Sequence, residues 1–76
     1  MDIQEIQKLI SQGRIQKALD AIDKHIEKED PRKKDFILIS SQFNMLKRDE
    51  MMGLVMHEEV QQSQKKILQS LLDLFM

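Results

Sequence analysis

Few side chains in this sequence have the types and spacings that chemistry requires. His25 and Glu29 stand four residues apart, which on a helix brings two donors to one face and near one metal ion. Two ligands fall short of the three or four that a zinc site needs, and a solvated helical histidine is the simpler reading. His57-Glu58-Glu59 sets an imidazole beside two carboxylates, an acid–base grouping in outline. Acidic residues opening a helix account for it without catalysis, because negative charge suits the positive end of the helix dipole. Ser40 and Ser41 have no histidine near them in sequence to activate a hydroxyl, and small residues that let helices approach are the plainer account. Glycine occurs only at positions 13 and 53, so no glycine-rich phosphate loop is present. With no cysteine there is neither a thiolate ligand nor a disulfide. The expectation is a non-enzymatic chain with no catalytic residue, no metal and no cofactor.

Two basic clusters, Arg32-Lys33-Lys34 and Lys47-Arg48, have the chemistry to touch phosphates. On a helix they lie about 15 residues or roughly 22 Å apart, at opposite ends and not in one stripe. No Tyr or Trp is present to stack on bases. A recognition helix opening with Phe36-Ile37-Leu38-Ile39 belongs in a core, not a DNA groove. A small nucleic-acid-binding regulator is therefore the alternative reading, and nucleic acid is not the expected partner. The net charge is −1, but it is unevenly spread: −2 over residues 1–30, +4 over 31–48 and −3 over 49–76. A basic middle segment lies between two acidic ones.

These groups must be positioned by helices. Asp2 followed by Glu5 fits a helix-opening capping pattern, and Ile3, Ile6, Leu9 and Ile10 lay one apolar face up to Gly13. A second helix is expected from about Arg14 to Glu29, with Ile15, Ala18, Leu19, Ile22 and Ile26 on its inner side. The tight turn at Gly13 makes the first two helices an antiparallel hairpin. Asp30-Pro31 stops the second helix and opens a third from about Arg32 to Met52, because Asp accepts first-turn amides and Pro loses no bond there. This third helix is apolar on more than one side, so it is either central or turned towards another molecule. Gly53 ends it. A fourth helix starts near His57, and its polar stretch Gln61–Lys66 interrupts the apolar stripe, with only Ser63 and Gln64 near the inward line. The fold class expected is all-α, a small antiparallel four-helix bundle forming a single domain over residues 1–76.

The segment from Ser40 to Gly53 is the most informative. Its helical apolar stripe runs into the charged cluster Lys47-Arg48-Asp49-Glu50 and the pair Met51-Met52, then stops at glycine. Met45, Met51, Met52 and Met56 are expected as core or partly buried filler, with an adaptable binding surface as the other reading. No apolar run reaches the roughly 18 residues of a membrane span, and the N-terminus lacks a signal-peptide layout. A cytoplasmic, membrane-independent domain is expected, cut from or terminal to a larger protein.

The run Leu38-x-Ser40-Ser41-x-Phe43-Asn44-x-Leu46-Lys47-Arg48-Asp49-x-x-x-Gly53 resembles the effector-associated domain family, specifically its eleventh type. The earlier Leu9-Ile10-x-x-Gly13 with Ala18-Leu19, the pair Glu58-Glu59, and Ile67 before a Leu-rich end are also similar to it. Two departures stand out: Met56 replaces the Ser or Thr that usually precedes the last helix, and Lys65-Lys66 replace Asn and Arg before Ile67. The resemblance implies a small helical adaptor attached to bacterial conflict or signalling proteins, joining them through contacts between like domains. Its expected partner is another copy of the same domain type, giving a homo-oligomer. Lys47, Arg48, Asp49, Glu50, Met51, Met52, Glu58 and Glu59 are the candidate protein interface. A basic helix end meeting an acidic segment of the next copy would propagate unless a rotation closes it. The competing role for Lys47–Glu50 is internal ion pairing that fixes the third helix to its neighbours.

Overall fold

A computed structural model describes residues 2–75. Four helices follow in order: α1 (Ile3–Ser11), α2 (Ile15–His25), α3 (Lys33–Met51) and α4 (His57–Phe75). Asp2 caps α1 by accepting the Glu5 amide at 3.3 Å. Two turns are built alike on glycine. After α1, the amides of Gly13 and Arg14 reach back to the carbonyls of Ile10 and Leu9. After α3, the amides of Gly53 and Leu54 reach back to Glu50 and Asp49. Both are Schellman closures that satisfy orphan carbonyls, and both need a left-handed residue, here Gly13 at φ 72° and Gly53 at φ 71°.

The second helix ends earlier than its apolar pattern suggests. Helical geometry stops at His25, and Ile26 turns extended at ψ 128° while its side chain stays buried. The chain then crosses to α3 through residues 27–32. Asp30 does not cap α3 in the expected manner with Pro31 as the first helical residue. Its carboxylate instead takes the Arg32 amide at 2.8 Å, and its carbonyl takes the Lys33 amide, which makes a turn just before the helix.

The core gathers one stripe from each helix: Ile6 and Ile10; Ile15, Ala18, Leu19 and Ile22; Phe36, Ile39 and Phe43; Ile67, Leu71 and Phe75. Val60 is buried apart from that cluster, in the first turn of α4. Between Val60 and Ile67, Ser63 and Gln64 are half-buried and their neighbours exposed, as the interrupted stripe requires. Helix α4 packs against both α1 and α3, and α1 packs on α2. The side-chain amide of Gln7 on α1 donates to the carbonyl of Phe75 at 3.2 Å, and the Arg32 guanidinium lies 4.9 Å from the Phe75 ring centre. These contacts place the start of α3 beside the end of α4. Asp2, Lys24 and His25 line one groove, so the start of α1 lies beside the end of α2. Together they define an antiparallel bundle with the first residues of α1 and the last of α4 at one end. Among the described residues no helix is long and apolar enough to cross a membrane.

A candidate protein interface on the third helix

Among the described residues, α3 is the helix with large apolar side chains both buried on one side and exposed in a row on another. Its inner side is Phe36, Ile39 and Phe43, each under a tenth exposed. At about 100° per residue, the opposite side passes through Ile37, Leu38, Ser41, Met45, Arg48 and Met52, with Met51 to one side of it. Ile37 is 53% exposed, Leu38 59%, Met45 55%, Met52 64% and Met51 86%. The stripe continues into the corner before α4, where Leu54 and Met56 are also exposed. The helix is therefore not central. Ile37, Leu38 and Met45 face outward, and the methionines are surface residues, not core filler.

The charged cluster sits at the end of this stripe. Lys47, Arg48 and Glu50 are exposed and Asp49 is half-buried. Lys47 spans to α2, donating to the Gln16 side chain at 3.5 Å, and its ammonium lies 5.6 Å from the Phe43 ring centre. None of the four joins an ion pair among the described residues, where the pair formed is Asp30–Arg32 at 2.8 Å. Glu58 and Glu59 are exposed in the first turn of α4, just past the same corner. The candidate interface residues thus lie around one end of the bundle, and the backbone carbonyls of Asp49 and Glu50 serve the Gly53 turn that shapes it.

The other groupings stay apart. Because α2 ends at His25, Glu29 does not share a helix face with it. His57 pairs with Gln61 one turn along, at 3.1 Å between Nε2 atoms. Among the described residues no three His, Asp or Glu side chains come together as a metal site would require. Ser40 is half-buried against the bundle and Ser41 faces out. The basic clusters lie at opposite ends of α3, and Arg32 is held by both oxygens of Asp30. Hydrogen bonds from Arg32 hold the Asp30 carboxyl down to about 2, and the carboxylate in turn raises the guanidinium.

The sequence reading put Met51 and Met52 in the candidate surface and gave Met45 an adaptable surface as its other reading, but did not single out Ile37 and Leu38, which the structure leaves exposed beside them. The signal was present: Leu38, Met45 and Met52 recur at intervals of seven, as do Ile37, Asn44 and Met51. A helix with a repeat on one side and Phe36, Ile39 and Phe43 on the other has two seams.

No curated protein and no solved structure gives a significant match to the chain. A family model does: the one described as Effector-associated domain 11 matches residues 1–75. With nearly every residue included, and with a small all-helical bundle as its fold, the chain belongs to the effector-associated domain 11 family.

Proposed function

We propose that this domain is a non-enzymatic adaptor that joins signalling or effector proteins of a bacterial conflict system through contacts between like domains. The observation that supports it is the uncovered apolar side of α3, lying opposite the side that holds the core. Large apolar side chains exposed in a row and rimmed by charge mark association surfaces. Methionines suit such a surface because flexible thioethers adapt to a partner's shape. Lys47, Arg48, Asp49, Glu50, Glu58 and Glu59 form its charged rim, and Met51 and Met52 its apolar end. The rim charges steer and orient the encounter, while the apolar stripe holds it. In this reading the domain acts in the cytoplasm. The nucleic-acid alternative gains nothing from Arg32, whose guanidinium is already engaged by Asp30.

Light scattering on a sizing column, from low micromolar to millimolar and at low and high salt, tests the proposal. Mass that climbs with concentration supports contacts between like domains, and salt sensitivity measures the share of the charged rim. A monomer under all conditions removes self-association as the mechanism. Steeply salt-dependent retention on DNA would favour the regulator reading instead.

A further inference from the structure

We infer that two copies pair through the outer side of α3 with the two helices parallel, about a two-fold axis running along them. This rests on the like-with-like reading above and adds the geometry. The seam is centred on Lys34, Ser41 and Arg48, which are exposed and seven residues apart, with Leu38, Met45 and Met52 beside them at the same interval. Over this span of roughly 27 Å a heptad repeat keeps one face turned towards a second helix. Small Ser41 at the centre lets the two backbones approach.

The flanks decide the direction. On one side of the seam lie Asp35, Gln42 and Asp49, again seven apart, of which Asp35 and Gln42 face α4. On the other lie Lys33, Ser40 and Lys47, with Lys47 facing α2. A two-fold axis along parallel helices sets the acidic flank of each copy against the basic flank of the other, on both sides of the seam. An antiparallel pair sets acid against acid and base against base. Parallel pairing apposes Lys34 and Arg48 with their own copies, but both are long exposed side chains that can extend to the rim. An antiparallel pair centred on Ser41 apposes Lys34 with Arg48 and meets the same two like-charge contacts, so the flanks alone decide the direction. Such a contact is isologous and closes as a dimer, so it does not propagate.

Parallel pairing has a consequence for what the domain does. The start of α1 and the end of α4 lie at one end of the bundle, so both ends from both copies emerge on the same side of the pair. Modules joined there are set next to their counterparts.

The chain has no cysteine, so single cysteines report on the seam directly. Lys34→Cys, Ser41→Cys and Arg48→Cys are each oxidised and compared with Lys65→Cys, exposed on α4. Circular dichroism first confirms that each variant keeps its helices. In a parallel pair every seam residue faces its own copy, so all three form disulfide dimers at least about tenfold faster than the control, through raised effective concentration. If sizing shows a pair but only one of the three cross-links rapidly, the pair is antiparallel and the inference is overturned. If a pair forms and none of them cross-links, another face is used and it is overturned equally. A chain that stays monomeric at every concentration removes the like-with-like reading itself and leaves an unlike partner as the occupant.

Discussion

Replacing Leu38 with alanine separates the surface role of α3 from its part in the core. Leu38 is 59% exposed in the single domain. Full burial of a leucine side chain is worth about 2 kcal/mol. The covered share therefore contributes about 0.8 kcal/mol to folding, slightly offset by the better helix propensity of alanine. For a domain of this size that lowers the melting temperature by roughly 3–6 °C. The exposed share is worth about 1.2 kcal/mol per copy if pairing covers it, and a two-fold pair uses it twice, about 2.4 kcal/mol in all. Pairing should then be weakened, with its dissociation constant raised by a factor of about 50. The assay is sedimentation equilibrium or light scattering for the pair, beside thermal melts at a concentration where the chain is monomeric. A pair weakened less than about threefold, with the melt shifted as calculated, refutes the outward stripe as the contact. A melting loss well beyond about 10 °C shows that Leu38 is a core residue and that its exposure was misread.

Gly53→Ala meets no atom within 4 Å, so its cost is purely that of φ 71°, about 1–2 kcal/mol. Gly13→Ala should cost the same in urea denaturation, and Gly53→Asn should recover part of the loss; unequal costs at the two turns would contradict their shared geometry. Leu71 is fully buried, and Leu71→Ala should cost about 3–5 kcal/mol, as much as a core this small supplies, so the helical circular dichroism signal should collapse at room temperature. A cooperative melt retained near that of the parent would show that α4 is not central. Asp30, with its carboxyl held down to about 2 from 3.8, binds fewer protons folded than unfolded. Its contribution is thus complete above the unfolded value and is lost as pH falls from about 4 towards 2. Asp30→Asn should flatten the acid limb of stability against pH in that window, and an unchanged limb would mean the pair with Arg32 does not persist in solution.

The hairpin of α1 and α2 was legible because each helix has one apolar side. Ile6 and Ile10 face Ile15, Ala18, Leu19 and Ile22 with no competing stripe. Helix α3 was legible as a helix but not in its orientation, since Phe36, Ile39 and Phe43 compete with Ile37, Leu38 and Met45 for the inner side. Periodicity counts apolar residues and does not choose between two seams; in the structure it is the side carrying the two aromatics that enters the core. The end of α2 was missed for a related reason. Ile26 keeps the helical interval and is buried, yet its backbone is extended, so a pattern of burial alone overran the helix. The methionine cluster was misplaced because thioethers are as much at home in cores as on adaptable surfaces. Lys47–Glu50 could not be resolved from sequence, because a charged helix end reads the same whether its side chains pair internally or point outward.

The same helix that presents the outer stripe is anchored by its inner one, and this bears on how an adaptor so small can work. Phe36, Ile39 and Phe43 fix α3 from within, while the closure at Gly53 fixes the end where Met51, Met52 and the charged cluster stand. Pairing therefore orders little backbone, which removes one of the main costs of association. The surface on offer is one helix face, and contacts of such limited extent belong with transient ones. A contact of that kind is weak and short-lived between free domains. When copies are held by larger proteins already gathered at one place, the second contact becomes intramolecular, with an effective concentration on the order of millimolar for short tethers. If the face pairs with its own copy as proposed, a weak and rigid contact would suit it to reporting that assembly has occurred: it would close when its carriers are clustered and open when they disperse.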